Sequence, residues 1–199
     1  MTRLLYAALS ALLASAAATG AQPTAAKPLE DPEAYAVYAA LLPNQWAVRH
    51  AKATILVFQQ ETGTYPQCLP SGPLLNTEWK PVVDSYRTEN EHGRLLQPGF
   101  PLGIPYMVVR RAEIKATFTT VPNDPQFGWT GFYARYPNSK GYMVASVPGF
   151  DGNRRRAMVY MGHSCGPVCG GGTYHLLEKT DGSWREIRAA GITSCAWYS

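Results

Sequence analysis

Two of the chain's four cysteines and two of its four histidines fall in one short stretch, His163-Ser-Cys-Gly-Pro-Val-Cys-Gly-Gly-Gly-Thr-Tyr-His175. Three chemistries can be built from it. His163, Cys165, Cys169 and His175 supply two thiolates and two imidazoles, a donor set that suits zinc or copper. If a hairpin turned symmetrically about Cys169, the two histidines would face each other across its strands. Gly162-His-Ser164-Cys-Gly166 has the Gly-x-Ser-x-Gly spacing that places a serine nucleophile on a strained strand-to-helix turn. Cys165 and Cys169 can also close on each other, because Gly166-Pro167 lets the chain reverse between them.

The serine chemistry lacks its supports. Pro167 and Gly170-Gly-Gly172 follow where the activating helix should begin, and no acidic residue lies between Ser164 and the only downstream histidine, His175. The Cys-Gly-Pro-Val-Cys segment resembles the Cys-Gly-Pro-Cys redox box with one residue inserted, again without the helix that would activate a thiol. The metal set stands as the alternative to a structural pairing, Cys165 with Cys169 and Cys68 with Cys195. In the chain-entropy model the short ring stabilises by about 2 kcal/mol and the long one by about 5 kcal/mol.

The start of the chain favours the bridges. Met1-Thr-Arg3 precedes an apolar run to about residue 18, and the small residues Thr19-Gly-Ala21 suit a signal peptidase. The expected organisation is a signal peptide at 1–21, a flexible leader at 22–30 and one domain at 31–199. The location is secreted or periplasmic, where an even cysteine count reads as disulfides. No run in the mature chain is long enough to span a membrane. The formal charge of +4 is too small and too dispersed to suggest nucleic acid, and Arg154-Arg155-Arg156 follows the turn signal Asp151-Gly-Asn153 at a hairpin end. No cofactor is implied.

The elements that must position the Cys/His stretch follow from pattern. Asp31-Pro32-Glu33 starts a helix that stops at Pro43. Residues 53–58 form a buried strand. A second helix runs from about 76 or 80 to 91, and shorter helices lie at 111–118 and from Asp124 to Pro137. Residues 106–109 form a brief strand. The last third alternates strand-like runs at 141–147, 157–161, 173–178 and 184–187, with an edge strand near 193–198. Its turns are Asp151-Gly-Asn153 and Asp181-Gly182. The expectation is an α+β fold with the N-terminal helices packed on one face of a C-terminal antiparallel β-meander sheet.

The block from Arg156 to Lys179, followed by Asp181-Gly-Ser-Trp184, resembles a pattern found in uncharacterised predicted-secreted bacterial proteins. These carry an apolar strand, Cys-Gly-x2-Cys-Gly-x-Gly, a Tyr-x-Leu-Leu-Glu-Lys strand and Gly-x-Trp. Tyr136-Pro-Asn-Ser-Lys-Gly141 and Ser146-Val-Pro-Gly-Phe150 are similar to further segments of that family. The resemblance implies export and the sheet, and carries no activity. The sequence therefore reads as a secreted, disulfide-stabilised module that binds or scaffolds rather than catalyses. Its candidate surface is the glycine-rich loop at 166–173, with Tyr160, Tyr174, Trp184 and Trp197 as aromatic neighbours.

Overall fold

The computed structural model describes residues 26–64, 69–188 and 195–199. The segment expected to be a signal peptide, 1–21, therefore lies outside the described residues. Lys27–Pro28 (β1) already pairs in parallel with Arg94–Leu95 (β3). The leader expected at 22–30 is thus docked from residue 27, because Leu29 is buried and its amide bonds Leu95 O at 2.8 Å. Helix α1 (Pro32–Leu41) begins as its residues require, with the Asp31 carboxylate accepting from Glu33 N at 3.0 Å. A 3-10 turn, Leu42–Asn44, carries Pro43, and the short α2 (Trp46–Arg49) follows.

Strand β2 (Leu56–Gln59) is buried on both sides, and α3 (Lys80–Glu89) starts beside Pro81, where the missing amide costs nothing. Beyond β3 come β4 (Tyr106–Val109), α4 (Arg111–Thr117) and α5 (Trp129–Arg135). The last helix starts later than Asp124-Pro125 suggests. The Asp124 carboxylate instead gathers the amides of Gln126, Gly128 and Thr130, and Gly128 takes φ +92° as the chain passes Phe118. The remaining strands are β5 (Tyr142–Ala145), β6 (Gly149–Phe150), β7 (Arg156–Gly166), β8 (Cys169–Thr180), β9 (Ser183–Ile187) and β10 (Ala196–Tyr198).

The fold is α+β, around an eight-stranded sheet with the order β10-β8-β7-β5-β2-β4. Strand β6 extends the β5 edge of β7, and β9 shares the outer edge of β8 with β10. Two expectations need correction. The sheet is mixed, because β2 runs parallel to both β4 and β5; only the C-terminal strands make the antiparallel meander. The helices also cover both faces, because β2 and β7 are buried on both alternations. Leu56, Phe58, Met143, Val159, Met161 and Leu177 face α1. On the other face Met158, Tyr160, Tyr174 and Leu176 meet α3, while Val57 meets α4 and α5.

The break between β5 and β6 falls at Pro148 and is held from the end of α3. The Asn90 side chain donates to Val147 O at 2.8 Å and accepts from Val147 N at 2.9 Å. Ser146, fully buried, takes the Tyr160 amide on its hydroxyl, and its own carbonyl accepts from the Tyr38 hydroxyl at 2.8 Å. Backbone groups stranded by the break are thereby satisfied. Among the described residues, no helix is long and apolar enough to cross a membrane.

Candidate functional site

Strands β7 and β8 form one long hairpin whose only connecting residues are Pro167 and Val168; Val168 is 83% exposed at the tip. Cys165 and Cys169 are disulfide-bonded across this tip, with α-carbons 5.0 Å apart. The bulge between Ser164 and Gly166 places the bonded pair, and the Tyr133 hydroxyl of α5 donates to Cys165 O at 2.8 Å. Cys195 is also disulfide-bonded and buried; Cys68, its expected partner, lies outside the described residues.

The metal set does not assemble. Both hairpin sulfurs are bonded to each other, and the hairpin turns between Gly166 and Cys169 rather than about Cys169. His163 therefore pairs with Gly171, and His175 pairs with Val159. Four register steps separate the imidazoles, about 13 Å along the strand. Among the described residues no group of three or more His, Cys, Asp or Glu side chains could hold an ion. Burial pushes the His163 imidazole below its usual 6.5. His175, 8% exposed, places Nδ1 2.6 Å from Glu186 Oε1, while its Nε2 is shielded and unpartnered. That hydrogen bond holds the Glu186 carboxyl below its usual value against the opposing effect of burial.

Ser164 sits inside β7, cross-strand from Gly170 and Tyr142, with β8 following the tip where an activating helix would be needed. Alternation along β7 turns neighbouring His163 to the opposite face. The arrangement that would activate Ser164 is therefore not formed by these residues.

The glycine-rich stretch is strand, not loop, and the chain itself fills the space its glycines leave. Gly162 and Gly172 are cross-strand partners. A Cβ on Gly172 would lie 2.2 Å from the Tyr160 hydroxyl oxygen and 2.7 Å from Trp197 Nε1; one on Gly162 would lie 2.7 Å from the same hydroxyl. Trp197 Nε1 donates to that hydroxyl at 2.7 Å. The glycines thus admit Tyr160 and the β10 tryptophan over the strands. Of the other aromatics singled out, Tyr174 packs on Tyr160 and Tyr86, and Trp184 is buried beside Phe150 with its indole N–H donating to Glu33.

What remains open lies next to this glycine pair. A cleft of about 520 Å³ is floored by Tyr142 and Val144 of β5 and by residues 162–164 of β7. Trp197 closes one end and α4 forms the opposite wall, presenting Arg111, Ile114, Lys115 and Phe118. Those four positions, the last the residue that caps the helix, follow an i, i+3, i+4, i+7 stripe, so one face carries two cations alternating with two apolar side chains. Helix α4 is set there by Ile114, which packs with Val57, Val109, Trp129 and Phe132. Arg111 is anchored twice. Its amide donates to Glu61 Oε2 at 2.7 Å, and its Nε donates to Gln59 Oε1 at 3.2 Å. Gln59 is 5% exposed and tied in turn to Glu61 O at 2.8 Å.

Of the residues singled out by type and spacing, Ser164, His163, Tyr160 and Trp197 line this cleft. Arg111, Lys115, Gln59 and Tyr142 carried no motif. The signal available for the first two was a pair of cations at the margin of the apolar stripe of a helix, rather than on its opposite face. No protein-family model matches the chain, nor does any curated protein or any solved structure.

Proposed function

We propose that the chain is an exported, disulfide-stabilised binding module whose ligand seat is the cleft between α4 and the β5–β7 floor. The observation that carries this reading is the cleft itself. Its volume falls within the roughly 300–1,000 Å³ typical of small-molecule sites, and its lining mixes apolar and aromatic side chains with polar ones, of which Gln59 and Arg111 are held by hydrogen bonds. The reading rests on the cleft rather than on the candidate nucleophile or the His163, Cys165, Cys169 and His175 set, in which the two cysteines are bonded to each other. Export is supported by the basic, apolar and small-residue segments at the start of the chain and by the oxidised pair at the hairpin tip. The resemblance to predicted-secreted bacterial proteins agrees with it.

Two measurements test the proposal. Expressed with its leader in a bacterial host, the protein is expected outside the cytosol, with a mature terminus near Gln22 and no titratable thiol under denaturant; an intact leader on a cytosolic, thiol-bearing protein overturns the export reading. A fragment screen read by protein NMR is expected to shift resonances at Tyr142, Gly162 and Ser164. Ester turnover that disappears in Ser164→Ala would establish hydrolysis instead.

A further inference from the structure

Building on the cleft as a ligand seat, we infer that it takes a small organic oxyanion, a carboxylate or phosphate ester borne on a ring. Arg111 and Lys115 stand one helical turn apart on the cleft wall, and no Asp or Glu lines the cleft among the described residues. Neither side chain forms a salt bridge among the described residues. Adjacent like charges weaken a helix by about 0.2–0.5 kcal/mol, so the pair is unfavourable for α4 until a negative charge arrives.

The guanidinium is held in place. With Nε on the buried Gln59 and the backbone amide on Glu61, the two terminal amino groups of Arg111 are left to face a ligand. A planar fork of this kind matches an acid group offering two oxygens, which carboxylates and phosphates share. The Glu61 carboxylate accepts the Arg111 amide at 2.7 Å, forms no salt bridge with the guanidinium among the described residues, and lies outside the cleft lining.

The rest of the cleft sets the body of the ligand. A volume of about 520 Å³ far exceeds a bare ion, and the space beyond the cations is bounded by Tyr142, Tyr160 and Trp197 beside Gly162 and Ser164. Aromatic walls with a flat floor suit a ring stacked or edge-packed against them.

The test titrates the full secreted protein with benzoate, phenyl phosphate and benzyl alcohol, followed by NMR shifts of the cleft residues. Both anions are expected to bind there, at least about tenfold more tightly than the alcohol, and the tighter of the two identifies which acid group the site prefers. Arg111→Gln should weaken the anions by about tenfold or more. Arg110→Gln removes the same charge from a neighbouring residue outside the cleft lining and should change binding by less than about twofold. Equal losses in the two variants would reduce the effect to diffuse charge and overturn the inference. Alcohol binding as tight as benzoate would overturn the oxyanion assignment while leaving the ligand seat intact. No cleft shift with any of the three probes would overturn both.

Discussion

The cross-strand glycines make the sharpest test of how the sheet is packed, because alanine there should act with a sign opposite to its usual one. Replacing a strand glycine with alanine normally stabilises by about 0.5–1 kcal/mol through backbone entropy. At Gly172 the new methyl would sit 2.2 Å from the Tyr160 hydroxyl, 2.7 Å from Trp197 Nε1 and 2.8 Å from Tyr160 Cζ. The ring must retreat by about 1 Å, yet it is only 5% exposed and bonded to Trp197. Overpacking of that kind costs about 1–3 kcal/mol, and straining the Tyr160–Trp197 hydrogen bond adds about 1 kcal/mol. After the entropic gain, Gly172→Ala should destabilise by about 1–3.5 kcal/mol. Gly162→Ala meets the hydroxyl at 2.7 Å and the ring carbon only at 3.2 Å, so its cost should be smaller. In a Tyr160→Phe background the Gly162→Ala cost should fall, because only the ring carbon at 3.2 Å remains close, while Gly172→Ala keeps about half of its effect through the ring and the indole. Gly152→Ala is the control: its Cβ meets nothing within 4 Å, and it should fall within about 0.5 kcal/mol of the parent. Urea unfolding with a common slope measures all of these. A Gly172→Ala protein as stable as the Gly152→Ala control would refute the packing described for β7, β8 and β10.

Replacing Cys165 and Cys169 together by serine should lower stability by about 2 kcal/mol in urea, as expected for so short a loop, while leaving the far-UV spectrum unchanged. Tyr38→Phe removes a fully buried donor from Ser146 O and should cost about 1–2 kcal/mol by the same measurement. Glu186 is expected to govern part of the acid response. Its folded carboxyl titrates below 4.5, so its contribution is complete above that pH and is lost as the pH falls through the lower folded value. The stability difference between the parent and Glu186→Gln should therefore shrink from about pH 6 to about pH 3; a difference constant with pH would rule out the His175–Glu186 interaction as its source.

Local patterns gave away most element positions because each rested on a backbone rule. Asp31-Pro32 started α1, Asp181-Gly182 turned β8 into β9 with positive φ at both residues, and Pro148 interrupted the strand between β5 and β6. What those rules do not encode is which distant strand lies next to which. The parallel pairing of β2 with β4 and β5 joins residues 50 and 85 positions apart, and no local turn or cap signal records which distant strands become neighbours. The burial of β2 was legible as a continuous apolar run, but the expectation of helices on one face did not carry that run to its consequence, cover on both sides.

The glycine run shows a deeper ambiguity. A strand of glycines reads as an accommodating loop, because the residue type reports only that no side chain is tolerated and not what occupies the space. Here the occupants are Tyr160, ten to twelve positions earlier on the partner strand, and Trp197, near the chain's end. The same displacement moved the candidate site. Once Tyr160 and Trp197 had filled the groove over Gly162 and Gly172, the open surface was the neighbouring strip towards Ser164 and β5. There the wall came from α4, a helix whose cations carried no motif. Residues chosen for reactivity thus marked the sheet, and the open chemistry arose from the helix packed beside it.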